Sequence, residues 1–270
     1  MVKKLLKHEY IYYIRTFGLF LPIVLVIGVF TRVARCFDQS SVINRIMISS
    51  STVMLVVSCA AVLILSAVIG IVRFYKNMYT SEGYLTFTLP VTNTAHIFVK
   101  LLAAVTFQAA CIVVVAAAGA IALSGQALAD VWNGFAKVMT AIFRGVGTGH
   151  AIGFIVEWVI LVILSAVTNM LLFYACITVG QTAKKNRIIK AIGAYFVYYV
   201  VTQVVSTVFT ILMAFLDLTG DLLGIVQWIV YRPMAAAHTG FIGMILLTAG
   251  QAVLFWFVTH RIMTTKLNLE

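Results

Sequence analysis

Six continuous apolar stretches constrain this chain more than any other feature. They fall at about 17–35, 46–72, 97–123, 151–179, 191–216 and 238–259. A spanning helix needs roughly 20 mostly apolar residues. β-barrel strands would instead alternate polar and apolar over about ten residues. Unbroken runs of this length predict helices, so the expected fold class is all-α: a polytopic membrane protein with six transmembrane helices. The first stretch is the shortest, and Arg32 and Arg35 must snorkel at its end. Pro22 lies near its start, where a helix tolerates it.

Composition agrees. Of 270 residues, 63% are apolar by type and 10% are charged, where soluble chains average about 45–50% and about 25%. Mean hydropathy is +1.07. These values exclude a soluble enzyme, a disordered chain and a nucleic-acid-binding domain. The formal net charge of +11 then marks cytoplasmic loops and anionic lipid, because membrane chains concentrate Lys and Arg there. Four Cys in so apolar a chain do not form a disulfide framework.

Lys3, Lys4 and Lys7 precede the first apolar run, as in a leader peptide. Val33-Ala34-Arg35-Cys36 resembles a lipoprotein cleavage box, but Arg35 directly before the Cys breaks it. The segment is read as a permanent span.

Basic residues set the expected orientation. With the N-terminus in the cytoplasm, the inside segments hold Lys3, Lys4, Lys7, Arg15, Arg73, Lys76, Lys100, Lys184, Lys185, Arg187, Lys190, Arg261 and Lys266. The outside segments hold Arg32, Arg35, Arg45, Lys137, Arg144 and Arg232. Thirteen against six predicts a multi-pass protein of the cytoplasmic membrane with both termini cytoplasmic. The longest loops, about 73–96, 124–150 and 217–237, are too short for a folded soluble domain. Residues 1–270 therefore read as a single membrane domain.

The polar remainder offers little catalytic chemistry. No G-x-x-x-x-G-K-[ST] phosphate loop occurs. Leu123-Ser124-Gly125-Gln126 matches part of the ABC ATPase signature, but at the outer end of the third span it is a coincidence. His8, His96, His150, His238 and His260 all fall at the membrane boundary, with no i,i+4 pair and no H-E-x-x-H. No metal site and no catalytic residue is expected. Cys59, Cys111 and Cys176 read as small apolar fillers within spans.

Glu157 is the only acid inside a predicted span, about two turns from its outer end, with His150 seven residues earlier on the same face. Two readings stand. One is a substrate contact or proton-linked gate. The other is an interfacial carboxylate paired with Arg144, His150 or water. In the fifth span Gln203, Ser206, Thr207 and Thr210 form one helical stripe, and Ser165, Thr168 and Asn169 make a shorter patch in the fourth. Polar side chains in lipid are costly unless they face other helices or water. These should point into the bundle or toward a partner subunit, either lining a pathway or bonding between helices.

Three non-spanning segments carry more information. Residues 1–15 place Lys4, His8 and Arg15 on a polar face, and Val2, Leu5, Leu6 and Tyr13 on a face that is apolar except for Glu9. This reads as an interfacial amphipathic helix or as a basic start to the first span. Residues 127–144 carry Val131, Phe135, Val138 and Ile142 at helical spacing, which predicts an amphipathic helix broken by Gly145, Gly147 or Gly149. The cytoplasmic loop 73–96 is unusually apolar at Tyr84, Leu85, Phe87 and Leu89. Either it presents knobs to a groove on another protein, or it packs back on the bundle. Pro90 ends any local helix and Thr92 caps the next one.

That loop resembles the permease subunits of type-2 ABC exporters, in particular small stand-alone Gram-positive ones. The residues concerned are Arg73-Phe74-Tyr75-Lys76-Asn77 and Glu82-Gly83-Tyr84-Leu85-Thr86-Phe87-Thr88-Leu89-Pro90. They lie between the second and third of six spans, where that family places a short cytoplasmic coupling helix, and the basic N-terminal interfacial helix fits the same layout. The resemblance implies a permease without catalysis of its own, driven by a separate ABC ATPase that carries the ATP and Mg. It implies a second permease chain, in a homo- or heterodimer. Glu82, Gly83, Tyr84, Leu85, Phe87, Leu89 and Pro90 would couple to the ATPase. Residues 217–234 would form short outer helices. With one acid and a modest polar stripe (Gln203, Ser206, Thr207, Thr210, Asn169 and Glu157 as candidate lining), the cargo fits a hydrophobic or amphipathic peptide or lipid. The alternative is a non-catalytic membrane sensor, immunity protein or assembly partner.

Overall fold

The computed structural model describes residues 2–37, 41–80, 82–84, 88, 91–123, 125–183, 185–218 and 223–265. Among them no strand occurs. The chain is an all-α polytopic membrane protein. Its helices are α1 (Val2–Phe17), α2 (Phe20–Arg35), α3 (Val42–Tyr79), α4 (Asn93–Ala122), α5 (Gly125–Val146), α6 (Thr148–Gln181), α7 (Arg187–Leu218), α8 (Leu223–Tyr231) and α9 (Pro233–Thr265).

Five helices, α3, α4, α6, α7 and α9, are individually long and apolar enough to cross a membrane. They overrun the predicted spans at nearly every end. Hydropathy marks where a helix leaves the hydrocarbon, whereas hydrogen bonding and capping mark where it stops. The first predicted span behaves differently. α2 has 16 residues, about 24 Å at 1.5 Å each, short of a hydrocarbon core of about 30 Å. It reaches spanning length only together with α1, from which it is bent by 45° at Gly18-Leu19.

The described residues form two compact units, Met1–Thr140 and Ala141–Glu270. In the first, α4 is the central helix. α1 lies along it with Tyr13 and Phe107 stacked at 4.8 Å and Phe17 edge-on to Phe107 at 5.7 Å. The predicted apolar face of the N-terminal helix is thus spent on protein: Glu9, Tyr13 and Phe17 are buried at i, i+4 and i+8. α2 runs against α3, where the Thr31 hydroxyl donates to the Ser51 carbonyl at 3.2 Å. α2 also approaches α4 so closely that a Cβ at Gly28 would stand 2.8 Å from the Ala118 carbonyl oxygen.

In the second unit α6 and α9 run parallel. Glu157 meets His238, and Thr168 Oγ1 donates to the Thr248 carbonyl at 3.3 Å, so the register stays near 80 residues along the pair. α7 returns along α6, with Phe173 stacked on Tyr195 at 5.6 Å, and meets α9 where Tyr198 lies edge-on to Phe255. No described residue of α7 is buried, and exposed Val, Ile, Leu and Phe cover it. An apolar exterior of this extent is the surface of a protein solvated by lipid.

α5 is the amphipathic helix expected over 127–144, two residues longer at each end. Of the three glycines expected to break it, Gly147 does so, at φ +84°. That left-handed region suits a residue without Cβ. Gly145 and Gly149 stay helical. Residues 217–234 do include a short helix, α8.

Candidate functional site

The flanking helices take up nearly half of the segment 73–96. α3 continues through Tyr79, and α4 starts at Asn93. Phe74, Asn77, Met78 and Tyr79 are buried in that last stretch of α3. Arg73 and Lys76 lower the hydropathy without breaking the helix, since Arg and Lys are good helix formers. Thr92 caps α4 as expected, its hydroxyl accepting from the Ala95 N–H at 3.4 Å. The connection between the two helices is therefore 80–92.

An ionic cluster stands beside this connection, drawn from three helices. Glu9 on α1 supplies the carboxylate. Its Oε1 accepts from Lys100 Nζ on α4 at 2.7 Å, and its Oε2 accepts from Arg73 Nε on α3 at 3.1 Å. Asn77, one turn beyond Arg73, donates its Nδ2 to Oε1 at 3.4 Å. The Glu9 and Lys100 side chains are each 3% exposed. A buried charge needs partners and hydrogen bonds, and this one acid has both oxygens engaged. The Arg73 guanidinium also lies 3.8 Å over the Tyr12 ring, a cation–π contact.

Arg73 extends the cluster into the connection. Its Nη1 is 3.7 Å from Glu82 Oε2. Residues 82–84 are helical, and the Gly83 N–H donates to the Thr80 carbonyl at 2.7 Å. Gly83 is buried, while Tyr84 next to it is 51% exposed. Of the predicted coupling residues, Glu82, Gly83 and Tyr84 thus sit at one place, against the Arg73 end of the cluster. Leu85, Phe87, Leu89 and Pro90 lie outside the described residues.

The candidate lining residues do not converge. Gln203, Ser206, Thr207 and Thr210 are exposed on α7, so of the two expected placements they do not take the one inside their own bundle. The Thr207 and Thr210 hydroxyls donate to the Gln203 and Ser206 carbonyls of their own helix. Back-bonding of this kind satisfies a hydroxyl without a neighbouring helix. Asn169 is also exposed and donates to the Ser165 carbonyl at 3.0 Å. Thr168 alone of these polar residues bonds across helices.

Glu157 is the exception. Its Oε1 lies 2.8 Å from His238 Nδ1 on α9, and His238 Nε2 lies 3.1 Å from His150 Nδ1. The partner expected from sequence was Arg144, His150 or water. The actual one comes from 81 residues away, and His150 joins only through it. Nothing in the sequence pairs His238 with Glu157, because parallel α6 and α9 are separated by a whole helix. Glu9 was visible as the one acid on an apolar face, but its partners at 73, 77 and 100 were not.

No family model, curated protein or solved structure matches the chain.

Proposed function

We propose that this chain is the membrane-spanning permease of an ATP-driven exporter of the type-2 ABC class, with ATP hydrolysed by a separate subunit. The observation that carries the reading is the Tyr84 segment. An exposed aromatic at a short helical turn is joined through Glu82 and Arg73 to a buried carboxylate shared by α1, α3 and α4. A push on the turn is delivered to three helices of the first unit at once. The resemblance of 73–77 and 82–90 to coupling segments of that class supports the same assignment.

In this reading the connection 80–92 faces the cytoplasm and seats on the ATPase, with Tyr84, Leu85 and Phe87 as the knobs. Both termini are cytoplasmic, ATP and Mg belong to the partner, and a second permease chain completes the transporter. The apolar exterior and sparse polar lining suit an amphipathic peptide or lipid as cargo.

The test is retention of the ATPase. Solubilised wild-type chain should hold an ATP-hydrolysing subunit through affinity purification, and Leu85→Asp with Phe87→Asp should release it while leaving the permease folded. Equal retention by the double variant would reject the coupling assignment. Absence of any ATPase, with no ATP-dependent transport in proteoliposomes, would favour a sensor, immunity or assembly protein instead.

A further inference from the structure

The transport reading leaves the Glu157–His238–His150 chain unused, although it is the best-defined polar feature of the second unit. His150 is exposed near the start of α6. Glu157 stands seven residues further along the same helix, about 10 Å at 1.5 Å per residue. His238 bridges the two from α9. Its ring is stacked on Phe154, with centroids 4.1 Å apart and planes at 10°. A Cβ at Gly153 would stand 3.0 Å from His238 Cε1, so a hydrogen at that position is what lets the ring lie against α6. The imidazole is thus fixed in plane and position, with each nitrogen aimed at one partner.

The bonding pattern reads in one direction. A carboxylate accepts, so His238 Nδ1 carries the hydrogen given to Glu157 Oε1. His238 Nε2 is then a lone pair, and His150 Nδ1–H donates to it. The two imidazole centroids are 5.3 Å apart, close to the 3.1 Å bond plus the two ring radii. The rings therefore meet end to end. The two nitrogens face each other and do not converge on a third point, as ligands of a metal ion would. Among the described residues no group of three His, Cys, Asp or Glu is placed to hold a metal.

The charge is what the set lacks. With both imidazoles neutral it carries the single negative charge of Glu157. Glu157 Oε2 is buried with no hydrogen-bond partner. The titratable groups facing His238 are Glu157 and His150, both on α6. Among the described residues α7 and α8 place no charged or titratable side chain in hydrogen bond or ion pair with the three, and neither Tyr231 nor Arg232 before α9 does so. An unneutralised acid is expensive at membrane depth, and one proton neutralises it.

The geometry points to a proton-binding site filled through His150 and ending on Glu157. A proton from hydronium adds to His150 Nε2 and leaves water behind. His150 Nδ1–H passes to His238 Nε2, and His238 Nδ1–H passes to Glu157 Oε1. Three N–H or O–H bonds form and three break, one of them the O–H of the hydronium donor. Both imidazoles end neutral in the opposite tautomer, and the set goes from one negative charge to none. This assignment concerns the second unit alone and stands independently of the ATPase proposal.

Infrared difference spectra of the purified full-length protein between about pH 8 and pH 5, the window in which histidine chains exchange protons, test it. Wild type should gain a protonated-carboxyl carbonyl band at low pH, shifted by carbon-13 labelling of glutamate, and Glu157→Gln should lack it. His150→Gln should slow its appearance after a pH jump by about a hundredfold, the lower end of what a positioned proton donor contributes. The labelling arm needs no variant, so it holds even if Glu157→Gln does not fold. A spectrum with no glutamate-dependent band, or a band unchanged in folded Glu157→Gln, would overturn the site. Saturable Zn2+ binding abolished by His150→Gln and His238→Gln would overturn it in favour of a metal site.

Discussion

Lys100 Nζ lies 2.7 Å from Glu9 Oε1, with both side chains buried and 91 residues apart in sequence. The pair fastens the N-terminal helix to the central helix of the first unit. On α3, Arg73 engages the other oxygen of the same carboxylate, and Asn77 shares Oε1 with Lys100.

Removing the acid leaves Lys100 buried and uncompensated. Glu9→Gln should cost about 3–5 kcal/mol, the usual loss when one partner of a buried pair is removed. Thermal unfolding in detergent measures it. Because the two residues share one site, Glu9→Gln with Lys100→Met should cost clearly less than the sum of the singles, by about 0.5–3 kcal/mol. Strict additivity would show that the pair is not coupled.

Gly28 is where α2 rests on the backbone of α4. A Cβ there would meet the Ala118 carbonyl oxygen at 2.8 Å, and a backbone atom cannot swing aside as a side chain can. Gly28→Ala should destabilise by about 1–3 kcal/mol, as overpacking does, and Gly28→Val by more. A melting temperature equal to wild type for both would mean the helices stand further apart.

Gly147 separates α5 from α6 at φ +84°. Nothing lies within 4 Å of its would-be Cβ, so strain alone opposes substitution. Gly147→Ala should cost about 1–3 kcal/mol, because φ +84° with ψ 148° is a backbone region essentially confined to glycine. Gly149→Ala, in open space on a helical backbone, should be neutral or slightly stabilising. The contrast between the two in denaturation curves is the check.

His238 and His150 are bonded to each other, yet their removal should not be equivalent. His238→Ala strips Glu157 of its hydrogen bond and takes the ring from Phe154, whereas His150→Ala removes an exposed ring. The first should lower the melting temperature markedly more than the second. Equal losses would place the stabilising contact at His150.

The sequence displayed most of the secondary structure and little of the site. Long apolar runs need no partner to be recognised, so α3, α4, α6, α7 and α9 were legible as spans. α5 was legible because Val131, Phe135, Val138 and Ile142 repeat at helical spacing. The end of α3 was not: hydropathy falls at Arg73, but the helix runs on to Tyr79 because Phe74 and Met78 bury their side chains against protein. Both polar clusters depend on register between distant helices. Glu9 stood out as a lone acid, and Glu157 as the only one in a span, yet their partners Lys100 and His238 looked like boundary residues. The α7 stripe faces away from its own bundle, one of the two placements expected of it. Threonine at helical spacing looks like an interhelical seam, but Thr207 and Thr210 satisfy themselves on their own backbone.

The most direct test of the transport reading is a photo-crosslinker in place of Tyr84, the exposed aromatic of the helical turn, with the still more exposed Trp132 on α5 as control. Irradiation of membranes expressing each variant, followed by mass spectrometry of the adducts, identifies what touches each position. The account predicts an ATP-binding subunit attached at 84 and none at 132, with the adduct at 84 changing in yield when ATP and Mg are added. Adducts at 84 confined to lipid or to this chain's own helices would contradict it.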